Sequence, residues 1–239
     1  MTVLHLADEG EAADLAAFLS RLLHYDRGAA VRLQAAGTAL AVFGRPPSFE
    51  VLAIRAVRLA KPYEHGLDVT LDVTVSAGEL LETVDETGAT AAVPGAVTGP
   101  PWAGVLPPRG GWQPVPGLPS PDALRTTVGA AVAEFRSRTG ELPADGRTRA
   151  ELDRIGRDIW SRPVGDTHLP VRAVHAAQSL GFLRPGGKPA DAEAETETAG
   201  ESEADVGLFS SGAWLRLRTP YGSVAVRRTG LGALGLSVR

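Results

Sequence analysis

Apolar residues recur along this chain with two different periods, and one long stretch in the middle has no period at all. Glu9–Tyr25 places Leu15, Phe18, Leu19, Leu22 and Leu23 on one stripe of a helix, the pattern of a surface helix packed on a core. A short strand is expected before it, at Thr2–Leu6. Ala29–Ala35 and Thr38–Phe43 follow as two short strands, with Val31 and Leu33 alternating with Arg32 and Gln34. The break at Ala36-Gly37 predicts a hairpin between them, and Arg45-Pro46-Pro47 closes the second strand. Phe49–Leu59 is apolar on both faces; β-branched Val51, Ile54 and Val57 favour a strand over a helix. Leu67–Val75 alternates most regularly, Leu67, Val69, Leu71, Val73 and Val75 against Asp68, Thr70, Asp72 and Thr74. One buried and one solvated face is the mark of an antiparallel sheet packed on helices. Ser76 and Glu79 then form a capping box for a short helix through about Asp85. Residues 1–93 are therefore expected to form an α+β unit.

The second half predicts three helices and a hairpin. Ser120 caps a helix with Pro121 in its first turn and Leu124, Val128, Val132 and Phe135 on its apolar stripe, as N-cap and first-turn preferences require. Gly140 ends it. Thr148 and Glu151 open a second, with Leu152, Ile155 and Ile159 inward and Pro163 as its stop. A third runs from about Pro170 to Phe182 with Val171, Val174 and Ala177 buried. Residues 121–184 form this three-helix unit. Ala213–Arg218 and Ser223–Arg228 then read as a hairpin about Thr219-Pro220-Tyr221-Gly222, within a segment 207–239 expected to pack on the helices.

Between the halves, residues 94–120 and the following Pro121 hold nine of the eighteen prolines. Proline removes a donor and bars the preceding residue from helix, so neither a helix nor a central strand fits. Trp102, Val105, Leu106, Trp112, Val115 and Leu118 carry more apolar surface than a solvated linker holds. The expectation is an ordered strap pinned by its two indoles. Residues 185–206, by contrast, are acidic and of low complexity, with no large apolar residue before Val206, and are expected to be a disordered linker.

Charge sharpens this division. The net charge of −4 resolves into −6 over residues 1–100, +4 over 101–190, −7 over 191–206 and +5 over 207–239. The last segment has five arginines and no acid, so it is a candidate surface for an anionic partner. The acidic tract beside it could compete with that partner at low ionic strength. There is no cysteine, which excludes disulfides and thiolate chemistry. No apolar run is long enough to span a bilayer, and the acidic N-terminus lacks a signal peptide's pattern, so a cytoplasmic protein without membrane contact is expected.

Marks of catalysis are sparse. Gly-x-Ser-x-Gly, the P-loop, GxGxxG and HExxH do not occur, and the five histidines form no ligand spacing with a carboxylate. No catalytic residue, metal or cofactor is assigned. Helix, helix, helix, hairpin is the order of a winged helix, whose third helix enters the major groove while the wing touches backbone. On that reading Arg172 and Gln178 on the third helix, with Arg216, Arg218, Arg227 and Arg228 on the hairpin, face DNA or an acidic protein. The expected function is a non-enzymatic binding or regulatory protein. The alternatives are a scaffold that self-associates through the N-terminal sheet, giving a homo-oligomer, and an enzyme without recognisable motifs.

The helix HLAD with LAAFLSRLL, the strap PWAGVLPPRGGWQPV, the helix AAQSLGFL and the ribbon WLRLRTPYGSVAVRR together resemble an uncharacterised family of conserved actinobacterial proteins. The resemblance covers most of the chain and implies an intracellular bacterial protein. It carries no activity and no site residues.

Overall fold

A single antiparallel sheet of eight strands collects residues from both halves of the chain. The computed structural model describes residues 2–60, 71–184 and 206–228. The expected disorder of the acidic linker over 185–205, the first residues of the strand predicted at Leu67–Val75, and the tail beyond Arg228 lie outside them.

The N-terminal half follows its sequence pattern closely. After β1 (Val3–His5), helix α1 (Glu9–Tyr25) starts where the Asp8 side chain accepts from the Glu11 N–H at 2.8 Å. Its stripe Leu15, Phe18, Leu19 and Leu22 is fully buried. The hairpin β2 (Ala30–Ala36) and β3 (Ala39–Gly44) turns at Gly37, whose φ of 60° suits a residue without a Cβ. β4 (Leu52–Arg58) is the expected buried strand, and β5 (Asp72–Ser76) pairs with β2 on its other side. The Ser76 side chain caps α2 (Ala77–Glu82) by accepting from the Glu79 N–H. The helix is shorter than predicted, because β6 (Val84–Asp85) and β7 (Thr90–Ala92) leave it to join β1 in a small second sheet.

Helices α3 (Pro121–Gly140) and α4 (Arg149–Trp160) form with the predicted caps Ser120 and Thr148, while α5 (Val171–Ser179) starts after Pro170 without a side-chain cap and ends before the predicted Phe182. A charged lattice ties α3 to α4: Arg162 is bidentate on Glu134 at 2.6 and 2.8 Å, and Arg138 meets Asp158 at 2.5 Å. Each guanidinium holds its carboxylate partners below their ordinary range.

The expected winged-helix-like arrangement is not what the ribbon adopts. β10 (Trp214–Thr219) and β11 (Gly222–Arg227) do form a hairpin, but β11 also pairs with β4, Ser223 opposite Ile54 and Ala225 opposite Leu52. The reason is legible in β11: Val224 and Val226 are apolar, while Ser223 and Ala225 opposite them are small. The strand is therefore buried on both faces, as a central strand must be, and it does not stand free as a wing. β9 (Gly207–Ser211), absent from the sequence reading, adds to β10, and β8 (Gln113–Pro114) adds to β9. The strand order is β5-β2-β3-β4-β11-β10-β9-β8.

All the long helices pack on one side of this sheet. Leu215 and Leu217 of β10 and Val224 and Val226 of β11 join the main core with α1, α3, α4 and α5. The strap covers the other side. At the β5 edge the Val97 N–H donates to the Thr74 carbonyl at 2.9 Å. Trp102 and Leu106 then rest on Phe43, Leu52, Ile54 and Ala225 in a separate apolar cluster. At the far edge Val115 donates to the Leu208 carbonyl at 2.8 Å, after which Val115 and Leu118 turn into the main core. Proline tolerates this path because an extended strap and an edge strand of two residues ask for few ladder donors.

Candidate functional site

The strap-covered side of the sheet carries the cationic residues that the sequence singles out. In β10 the side-chain period of two sends Leu215 and Leu217 to the core and Trp214, Arg216 and Arg218 the other way. Cross-strand pairing sets Trp214 opposite Arg227, Arg216 between Ala225 and Phe209, and Arg218 opposite Ser223. The result is an interleaved ladder. The Arg227 guanidinium lies 5.1 Å from the Trp214 ring centre, Arg218 lies 4.9 Å from Phe209, and Arg216 lies 5.8 Å from Trp112 of the strap. Each distance is within cation–π range.

Among the described residues, Arg216, Arg218 and Arg227 make no ion pair with a carboxylate. The Nε atoms of Arg216 and Arg218 are buried without a hydrogen-bond partner. Burial first, and the charge of Arg218 second, push the Arg216 guanidinium below its ordinary pKa. Arg32, on the same side of the sheet, shows the contrast. It is bidentate on Asp72 at 2.7 and 2.8 Å and donates to the Ala103 carbonyl of the strap. Its hydrogen bond to Asp72 raises its own pKa and lowers that of the carboxyl. One end of the face is thus closed by an internal pair, and the other presents charge without a carboxylate partner among the described residues.

The remaining predicted partner residues lie elsewhere. Arg228 follows the end of β11 and donates to the Gly212 carbonyl at 2.6 Å. Arg172 and Gln178 sit on α5, across the sheet from the ladder. Arg172 is half-buried with Nε 3.8 Å from a Glu50 carboxylate oxygen, and Gln178 is exposed. The third helix and the ribbon arginines therefore do not share one surface, because α5 buries Val171, Val174 and Ala177 against the core side of the sheet.

Two contributors escaped the sequence reading. Phe209 belongs to β9, whose five residues alternate too briefly to register as a strand, although Leu208 inward and Phe209 outward is the signal. Arg45 was visible only as the end of β3. It lines an open cleft of about 640 Å³ beside the strap, with Asp26, Ser76, Val97, Thr98 and Trp102 around it. Among the described residues His168 and His175 gain no partner carboxylate, and no group of three histidines or acids could hold a metal ion. His175 is instead packed between Trp160 at 4.8 Å and Phe49 at 5.0 Å. No helix of the described residues is long and apolar enough to cross a membrane.

Residues 107–231 match the family described as "Domain of unknown function (DUF8185)", and residues 1–104 match a second, "Domain of unknown function (DUF8010)". The boundary between the two falls inside the strap. No curated protein and no solved structure matches the chain.

Proposed function

The chain belongs to the DUF8185 family, and within it we propose that this protein is a binding or regulatory protein, working in the cytoplasm, that takes an anionic macromolecule on the strap-covered side of its sheet. The observation that carries the reading is the set Arg216, Arg218 and Arg227 on one side of the sheet, held by aromatic rings and unmatched by carboxylates among the described residues. A partly buried guanidinium needs a counter-charge, and an incoming anion supplies one that the described residues do not. Planar guanidinium groups also suit the forked geometry of phosphate and carboxylate. The ribbon rather than α5 makes the contact, so the docking differs from that of a winged helix.

The test is a salt titration of the full chain against heparin, a DNA duplex and a single-stranded oligonucleotide, read by fluorescence anisotropy. Affinity should fall steeply with salt, and the R216A/R218A double variant should lower the log–log slope by about 1.4 for a single strand, about 0.7 for each lost phosphate contact. Unchanged affinity and slope in a variant with a native circular dichroism spectrum would remove the ladder from the function.

A further inference from the structure

Trp102 belongs to two features at once. It lines the cleft beside Arg45, and it packs on Phe43, Leu52, Ile54 and Ala225 in the same cluster as Trp214. The cleft and the arginine ladder are therefore neighbouring parts of one surface. Crossing it, a ligand would meet Arg45 and Trp102, then Trp214 with Arg227, then Trp112 with Arg216, and finally Phe209 with Arg218. Cations and half-buried aromatic rings alternate along the whole path.

From this alternation we infer that the anionic partner is single-stranded nucleic acid, laid across the strap-covered face with one nucleotide seated in the cleft. The inference rests on the binding reading above and gives it a substrate class. A flexible strand offers the same alternation in reverse, a phosphate and then a planar base, and proteins that hold such strands pair a cationic track with aromatic platforms. A duplex hides its bases from rings of this kind, and an acidic peptide has no use for them.

The cleft has the parts a nucleotide needs. Trp102 supplies an indole wall. The Asp26 carboxylate accepts from the Gly28 N–H at 3.0 Å through Oδ1, and its other oxygen can accept from a base. The Ser76 hydroxyl oxygen already accepts from the Glu79 N–H, so its own O–H can still donate. Arg45 is exposed and makes no ion pair among the described residues, which leaves it for a phosphate. The volume, about 640 Å³, lies within the range of small-ligand sites, about 300–1,000 Å³.

The experiment compares three probes on the full chain at about 50 mM salt: a labelled single strand of about 15 nucleotides, the matching duplex, and heparin, with polyglutamate as competitor. The single strand should bind about tenfold tighter than the duplex, since stacking is available only to unpaired bases. Arg45→Ala, on an exposed side chain without partners among the described residues, should weaken the single strand about fivefold and leave heparin within about twofold. Trp102→Phe keeps an aromatic wall and should weaken the single strand less than Trp102→Leu does. Equal binding of strand and duplex, indifference to Arg45→Ala, or displacement by polyglutamate as effective as by unlabelled strand overturns the inference while leaving an anion-binding ribbon. Failure of every polyanion to bind overturns both.

Discussion

Removing Arg55 should loosen the whole molecule, although the residue lies in the N-terminal family segment. Arg55 is 6% exposed on β4. Its NH2 group reaches Glu11 and Asp14 of α1, each at 3.1 Å, and NH1 donates to the Tyr221 carbonyl at the tip of the β10–β11 hairpin at 2.8 Å. Breaking a buried ion pair from one side costs about 3–5 kcal/mol, mostly through the charge left behind. Here neither carboxylate is abandoned: Glu11 keeps Arg58 at 2.8 Å and Asp14 keeps Arg184 at 2.8 Å. The expected cost of Arg55→Ala therefore sits at the low end, about 3 kcal/mol, and Arg55→Met should recover about 1 kcal/mol of it by refilling the space of the aliphatic stem. With a urea dependence of about 3 kcal/mol per molar, the midpoint of the alanine variant falls by about 1 M. Urea unfolding should be followed by far-ultraviolet circular dichroism and by tryptophan fluorescence. Three of the four indoles, Trp112, Trp160 and Trp214, lie in the C-terminal family segment, while Trp102 packs on β3 and β4, so the test is read in a Trp102→Phe background, where fluorescence reports on the C-terminal half. Coincident shifts in both signals are expected from one continuous sheet. A fluorescence midpoint that stays put while the circular dichroism moves would refute the claim that the two family segments form one cooperative unit.

Two further outcomes follow from packing. A Cβ on Gly222 would lie 2.6 Å from the Phe182 ring, at a φ of 153°; Phe182 is itself buried against Phe18, so Gly222→Ala should cost about 2 kcal/mol, read as a lowered urea midpoint, and a wild-type midpoint would show that the ring yields freely. Burial lowers the pKa of His175 below the ordinary imidazole value of about 6.5. The unfolded chain then takes up the proton more readily than the folded one. The stability from this residue is full above that value and is lost as pH falls through it toward the folded value. The melting temperature should drop between about pH 7 and pH 5 by less in His175→Phe than in the wild type, and parallel curves would exclude this histidine as a source of acid sensitivity.

Local chemistry wrote most of the elements into the chain. Asp8, Ser76, Ser120 and Thr148 cap helices that begin where an N-cap side chain can satisfy a free N–H, and α1 has the bounds its apolar stripe predicts. The proline-dense strap was recognisable as neither α-helix nor central strand, and Trp102 as an anchor; Trp112 instead donates to the Pro108 carbonyl within the strap and lies against Arg216. The segment with four described arginines and no acid was recognisable as cationic by counting alone. Such features depend on neighbours within a few residues, which a linear sequence displays.

What only the tertiary structure decided is the partner of each strand and the side to which each arginine points. The small and apolar faces of β11 suit a central strand, but its neighbour is fixed only where Ser223 and Ala225 meet Ile54 and Leu52 of β4, residues far away in sequence. That pairing turned a three-helix unit with a ribbon into one sheet shared by both halves. It placed α5 and the arginine ladder on opposite sides of that sheet, and it brought Arg45 and Trp102 beside the ribbon. Strand pairing is a long-range choice set by burial on both faces, so the composition of the cationic surface could be read in advance while its geometry could not.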